Sequence, residues 1–169
     1  MVSFRQSGGL LMPPKLRRLQ EVQAEIYRQL QLLLPDDIAF HDHLRSCVPG
    51  SAPLCLDVLE RHPYTTFFRL TYEFSGTENR EFEPDAHVRF YHDARMAEAT
   101  SFDCDQACTR DSHPAYPPAA LMRRTWRQNR ALDRWLDFLL RQGHSAQTMA
   151  PVESAAGRSE AVPSPVTAG

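Results

Sequence analysis

Apolar residues return along this chain with two different periods. From Lys15 to Leu34, the positions Leu16, Leu19, Val22, Gln23, Ile26, Leu30 and Leu33 recur at three- and four-residue steps, the period of a helix that buries one stripe. Pro13 and Pro14 precede this stretch and Pro35 follows it, so a helix is bounded at both ends. The segment from Asp36 to Ala52 shows no clear period, and Ile38 with Phe40 is a candidate start for a short strand. From Leu54 the period changes to two. Leu54 to Glu60 and Tyr64 to Phe74 alternate apolar with polar, as half-buried strands do. A connection through Arg61-His62-Pro63 pairs Val58 with Thr66, Leu56 with Phe68 and Leu54 with Leu70. Asp57, Phe67 and Arg69 then share the opposite, polar face.

The stretch from Asp85 to Phe102 reads as a second hairpin. A turn centred on Asp93-Ala94 sets Tyr91 against Met96, Phe90 against Ala97, Arg89 against Glu98 and Val88 against Ala99, because opposite residues of a hairpin share a face. One face is apolar and the other carries an Arg/Glu pair beside a Tyr/Met pair. Ser75 to Pro84, with Gly76 and Asn79, is expected as a loop, and Asp103 to Pro118, with three prolines, as a longer one. Ala119 to Arg141 returns to the helical period. It gathers Leu121, Leu132, Trp135, Leu136 and Leu139 on one side and Arg123, Arg127, Arg130, Arg134 and Arg141 on the other. Gly143 stands where a helix-terminating glycine belongs.

The expected fold is therefore α+β: a four-stranded antiparallel sheet of two consecutive hairpins, with the N-terminal and C-terminal amphipathic helices packed on its dry face. Residues 1–14 are expected to fray and residues 15–144 to form a single domain. Residues 145–169, rich in Ala, Ser, Pro and Thr, are expected as a disordered tail that cannot offset its ordering entropy.

Composition narrows the partners. The 169 residues carry a formal charge of −2, which gives no whole-molecule field for nucleic acid or anionic membrane. The single lysine among nineteen basic residues, Lys15, reads as base composition more than as a demand for guanidinium chemistry. No apolar run approaches the ~20 residues that span a bilayer, and no secretory leader is evident, so a cytoplasmic protein is expected. Cys47, Cys55, Cys104 and Cys108 are accordingly expected as free thiols. A metal site assembled from His41, His43, Cys104, Cys108 and His113 falls short of zinc-ligand spacing, and neither metal nor cofactor is expected.

Three constellations remain. His92-Asp93 at the hairpin tip pairs an imidazole with a carboxylate, the elements of a general base, although Asp in a turn ordinarily caps its own backbone. The arginine face of the last helix offers a phosphate track, but Asp133 and Asp137 flank it and a charge run opposite an apolar stripe is ordinarily solvated. The polar sheet face, with an exposed Phe and Tyr among charges, has the composition of a recognition surface. The favoured reading is a small binding or regulatory module whose candidate surface is Arg69, Arg89, Tyr91, His92, Asp93 and Glu98, meeting an unknown protein or a small anionic ligand. Two alternatives stand beside it: an enzyme acting on a nucleotide-like or other small anion with His92 as base, and RNA binding through the helix arginines. No phosphate loop, nucleophile elbow or zinc-protease helix is present.

The run Val88-Arg89-Phe90-Tyr91-His92-Asp93-Ala94, followed by Ala97-Glu98, resembles the central motif of the YqiB-like family, small bacterial proteins classed as a domain of unknown function. The likeness extends to Glu60 with Tyr64-Thr65-Thr66, to Tyr116-Pro117, and to Asn129, Leu132, Trp135-Leu136, Leu140 and Gly143. It departs at Gln23, where the family pattern has Asn, and in the four cysteines and His41-x-His43. The resemblance implies a cytosolic bacterial protein without an assigned activity, cofactor or partner.

Overall fold

A computed structural model of the protein describes residues 14–75, 80–103 and 117–152. The first helix, α1, spans Pro14–Leu33 and buries Leu19, Ile26, Leu30 and Leu33, the stripe that its three- and four-residue spacing requires. Ile38–Phe40, a candidate strand start by its pattern, instead winds into one turn of 3-10 helix closed by Phe40 N–H to Asp37 O at 2.9 Å. The strands follow as β1 (His43–Ser46), β2 (Leu54–His62), β3 (Thr65–Ser75), β4 (Arg80–Tyr91) and β5 (Met96–Asp103). The second long helix, α2, spans Pro118–Arg141, and a last strand, β6, spans Met149–Pro151.

The sheet is antiparallel and has six strands in the order β5-β4-β3-β2-β1-β6. The expected four strands form its middle and one edge. The two additional strands are four and three residues long, too short for an alternation to stand out from background in sequence. β6 comes from the segment expected as tail and pairs Ser46 with Met149; residues 153–169 lie outside the described residues. The expected loop at 75–84 is shorter than its composition suggests, because β3 runs to Ser75 and β4 begins at Arg80.

Register decides which side chains meet. The second hairpin has the anticipated pairs, Tyr91 with Met96, Phe90 with Ala97, Arg89 with Glu98 and Val88 with Ala99. The first hairpin is offset by two residues from the expected pairing: Val58 faces Phe68, Leu56 faces Leu70 and Leu54 faces Tyr72. Its strands continue through His62 and Thr65, and a bulge between Val58 and Glu60 absorbs the mismatch. An offset of two leaves parity unchanged. Leu54, Leu56, Phe68, Leu70, Ala86, Val88, Phe90, Ala97 and Ala99 are therefore all buried on one face.

The helices cover that face. Tyr27 of α1 stacks on Phe90 with ring centroids 4.5 Å apart, and Trp135 of α2 meets Tyr72 and Phe102 edge-on, each at 5.8 Å. Leu132, Leu136 and Leu139 are fully buried, whereas Leu121, expected on the same stripe, is 56% exposed because it lies in the first turns of α2, short of the sheet. α2 also closes the β5 edge. Asn129, fully buried, accepts the Ala99 N–H through Oδ1 at 3.2 Å and donates to Thr125 O at 2.8 Å, satisfying an outward amide that an edge strand otherwise exposes. Among the described residues, no helix is long and apolar enough to cross a membrane.

Candidate functional site

The face of the sheet away from the helices is polar because most alternate residues of β1 to β4 are polar: His43 and Arg45, then Cys55 and Asp57, then Arg69, then Asp85, His87 and Arg89. Across one end the charges satisfy one another. Arg69 grips Asp85 with two hydrogen bonds, Nε to Oδ1 at 2.8 Å and Nη2 to Oδ2 at 2.9 Å, and this bond to Asp85 holds the guanidinium proton more firmly than usual. His43 Nδ1 meets Asp57 Oδ1 at 2.8 Å, and Arg45 pairs with Glu73 at 2.9 Å. Burial, reinforced by the negative charge of Glu73, pushes the Cys55 thiol up to about 11, so it is a poor nucleophile at neutral pH.

Toward the turn of the second hairpin the pattern opens. Phe67 is half-buried, with the exposed Arg89 guanidinium 5.7 Å from its ring centre and the His87 ring at 6.0 Å. Arg89 faces Glu98 in register but does not pair with it. Glu98 instead accepts the Tyr91 hydroxyl at 2.8 Å and the Gln23 amide of α1 at 3.3 Å. Arg89 thus forms no ion pair among the described residues. Partial burial, followed by the bond to Glu98, raises the Tyr91 phenol above its ordinary range and keeps it a neutral donor.

Of the six residues expected to share this surface, Arg69, Arg89 and Tyr91 lie on it and Glu98 lies at its β5 border. His92 and Asp93 do not join them. The His92 N–H donates to Tyr64 O at 2.9 Å, its ring sits edge-on to Phe90 at 4.9 Å, and Nε2 is 2.9 Å from Thr66 Oγ1. Phe90 and Thr66 belong to the dry face, so the imidazole is turned away from Arg89. Asp93 Oδ1 accepts the Ala94 N–H at 2.8 Å within the turn. Phe67, expected on this face, lies opposite Arg89; Asp85 and His87 complete the surface, and their signal is parity, since 85 and 87 alternate with 89 and 91 on one strand.

The other candidates are scattered. His41 bonds Asp37 at 3.1 Å and His43 bonds Asp57, while Cys104, Cys108 and His113 lie outside the described residues. No cluster of three or more potential metal ligands occurs among the described residues. On α2, Arg123, Arg127 and Arg134 are exposed, and Arg130 and Arg141 are paired with Asp133 and Asp137, each at 2.7 Å.

A second polar cluster, not anticipated from sequence, is sealed beneath the C-terminal end of α2. Gly143 adopts a positive φ of 97°, so that Gly143 N–H reaches Leu140 O and His144 N–H reaches Leu139 O, each at 3.1 Å. This turn drives His144, only 1% exposed, under the sheet end. Its Nδ1 lies 2.8 Å from Ser46 Oγ and its Nε2 3.1 Å from Ser51 Oγ. Because Thr148 Oγ1 donates to Ser145 O, Ser46 must donate to Thr148, at 2.7 Å, and accept from His144 Nδ1–H. Nε2 then accepts from Ser51. Burial lowers the readiness of this ring to take a second proton.

Comparison with known proteins places residues 29–145 in a family described as a protein of unknown function, DUF1249. The match covers more than half of the chain, and the protein belongs to that family. No curated protein and no solved structure matches it.

Proposed function

We propose that this DUF1249 member is a binding module that recognises an acidic segment of a partner protein through the Phe67, Arg89 and Tyr91 end of its polar sheet face. One observation carries the reading: Arg89 lies over an aromatic ring with no carboxylate partner among the described residues, on a face whose neighbouring cations Arg45 and Arg69 are paired. A guanidinium held above a ring is poised for a carboxylate while its flank stays covered, and such aromatic and arginine anchors dominate interface energetics. The openness of the face suits a macromolecular surface better than a small substrate. His92, turned toward Phe90 and Thr66, is not positioned to act as a base beside Arg89. The likeness of residues 88–98 to the YqiB-like motif supports a bacterial cytoplasmic setting for this module.

The test is affinity enrichment with the purified full chain, comparing wild type, Arg89→Ala, Phe67→Ala and Arg127→Ala. A partner recovered by wild type and Arg127→Ala, and lost at least tenfold with the two sheet-face variants while circular dichroism is unchanged, is the expected outcome. Equal recovery by all four proteins overturns the reading.

A further inference from the structure

The two helices lie side by side with their N-terminal ends together. Between those ends is a cavity of about 510 Å³, lined by Lys15 and Arg18 of α1 and by Ala119, Met122, Arg123 and Trp126 of α2. Its chemistry is one-sided. Among the described residues that line it, three are cations and none is acidic. Lys15, Arg18 and Arg123 form no ion pair among the described residues, although adjacent Arg17 takes Glu21 at 3.2 Å. Neither helix has an acidic residue in its first turn. The positive ends of two helix dipoles therefore meet beside three like charges that form no ion pair among the described residues, an arrangement that an anion between them relieves.

The remaining wall is apolar. Ala119, Met122 and Trp126 complete the lining, and Met122 is 37% exposed. A second cavity of about 370 Å³ adjoins the first through shared Arg18 and Trp126 and brings in Glu21, Glu25 and Asp133. Those carboxylates already have partners in Arg17, Arg28 and Arg130, and they repel an anion from that side. The negative group is thus confined to the end where the helices begin, and the apolar wall is left for the rest of the molecule. The volume falls in the range of small-molecule sites.

We infer that this cleft binds a small organic anion, a carboxylate or sulfonate-like headgroup held by Lys15, Arg18 and Arg123 with an apolar body against Met122 and Trp126. A bare inorganic ion leaves the apolar wall wet, and a neutral apolar molecule leaves the cations uncompensated. The site is separate from the polar sheet face and independent of what that face does.

The experiment uses the full chain with four probes: decanoate, anilinonaphthalene sulfonate, inorganic phosphate and phosphatidylglycerol vesicles. Calorimetry follows affinity and tryptophan fluorescence follows location. The two organic anions should bind one per chain and compete with each other. Binding should weaken about tenfold in Arg18→Gln and in Arg123→Gln, as removal of a charged hydrogen-bond donor does. Trp126→Phe should abolish the fluorescence response while calorimetric binding persists. Both arginines are exposed, so these variants should keep the wild-type circular dichroism; Lys15→Gln replaces either one that does not. Unchanged affinity in the charge variants overturns the inference. So does phosphate binding as tightly as decanoate, which would mean that the apolar wall is unused, or binding to vesicles alone, which would make this end of the helices a lipid-facing surface.

Discussion

Ser46 and Arg45 are neighbours on β1 that point into opposite worlds. Ser46 enters the closed cluster of His144, Ser51 and Thr148, whereas Arg45 belongs to the open face with Glu73, Asp57 and Arg69. An imidazole between two serine hydroxyls is the more enzyme-like constellation by inventory. Yet its ring is 1% exposed and both nitrogens are bonded, so no substrate reaches it and no proton is free to move. The open face has weaker chemistry and the access that recognition needs. Hydrogen bonding describes both regions equally well; solvent contact separates a rivet from a surface.

The rivet should be the costlier of the two to remove. His144→Ala takes away the partner of two buried hydroxyls and leaves a void beside Tyr72, whose ring lies 5.9 Å from the imidazole. A loss of about 2–4 kcal/mol in urea unfolding is expected. Stability within 0.5 kcal/mol of wild type would mean that the cluster merely fills space. The same residue gives a sign to the pH dependence. Burial holds the folded imidazole below its ordinary value of 6.5, so below that pH the unfolded chain takes up a proton that the folded chain refuses. This contribution to stability is fully present above 6.5 and is lost as pH falls toward the depressed value. Unfolding midpoints measured from pH 7.5 to 5 should fall, and His144→Gln should flatten that slope. A slope unchanged in His144→Gln would assign it to other groups.

Next in size is the closed β5 edge. Asn129→Leu keeps an apolar volume in the core but leaves the Ala99 N–H without its acceptor, at a cost of about 1–3 kcal/mol. Hydrogen exchange at Ala99 should accelerate more than at Ala97, which lies on the same strand. Equal protection in variant and wild type would show that the edge amide is shielded without Asn129.

These elements differ in how far the sequence discloses them. The second hairpin was legible from Val88 to Ala99, because Val88, Phe90, Ala97 and Ala99 alternate on both sides of a short turn, whereas the shift of one residue between His87 and Val88 left no mark in the pattern. The first hairpin had its faces right and its register two residues out. Alternation fixes parity, but Leu59 in the bulge carries no signal that distinguishes it from an ordinary strand residue. β1 and β6 escaped because three or four residues hold too little pattern, and β6 lies in an Ala- and Pro-containing stretch that reads as tail. The candidate surface was half legible. Arg69, Arg89 and Tyr91 follow from parity, and the same alternation assigns His92 to the side of Val88 and Phe90, where its ring lies against Phe90 and Thr66. That Arg89 leans over Phe67 while Tyr91 takes Glu98 is a choice among side-chain rotamers, which no spacing encodes.

The smallest effects belong to the open face, and they discriminate most finely between a paired and an unpaired cation. Arg69 is gripped twice by Asp85 and both side chains are about 30% exposed, so Arg69→Ala should cost about 1 kcal/mol after allowance for solvent screening. Among the described residues Arg89 has the ring of Phe67 beneath it and the Tyr91 hydroxyl nearby. An exposed cation over a ring contributes about 0.5–1 kcal/mol at most, and shortening the side chain returns rotamer freedom, so Arg89→Ala should change stability by less than about 0.5 kcal/mol. Chemical denaturation of the two variants side by side measures the difference. If Arg89→Ala destabilises the fold as much as Arg69→Ala, the guanidinium is another structural member of the sheet and the case for a recognition site there fails. If it leaves the fold untouched while partner recovery collapses, the residue is held at the surface for something outside the molecule.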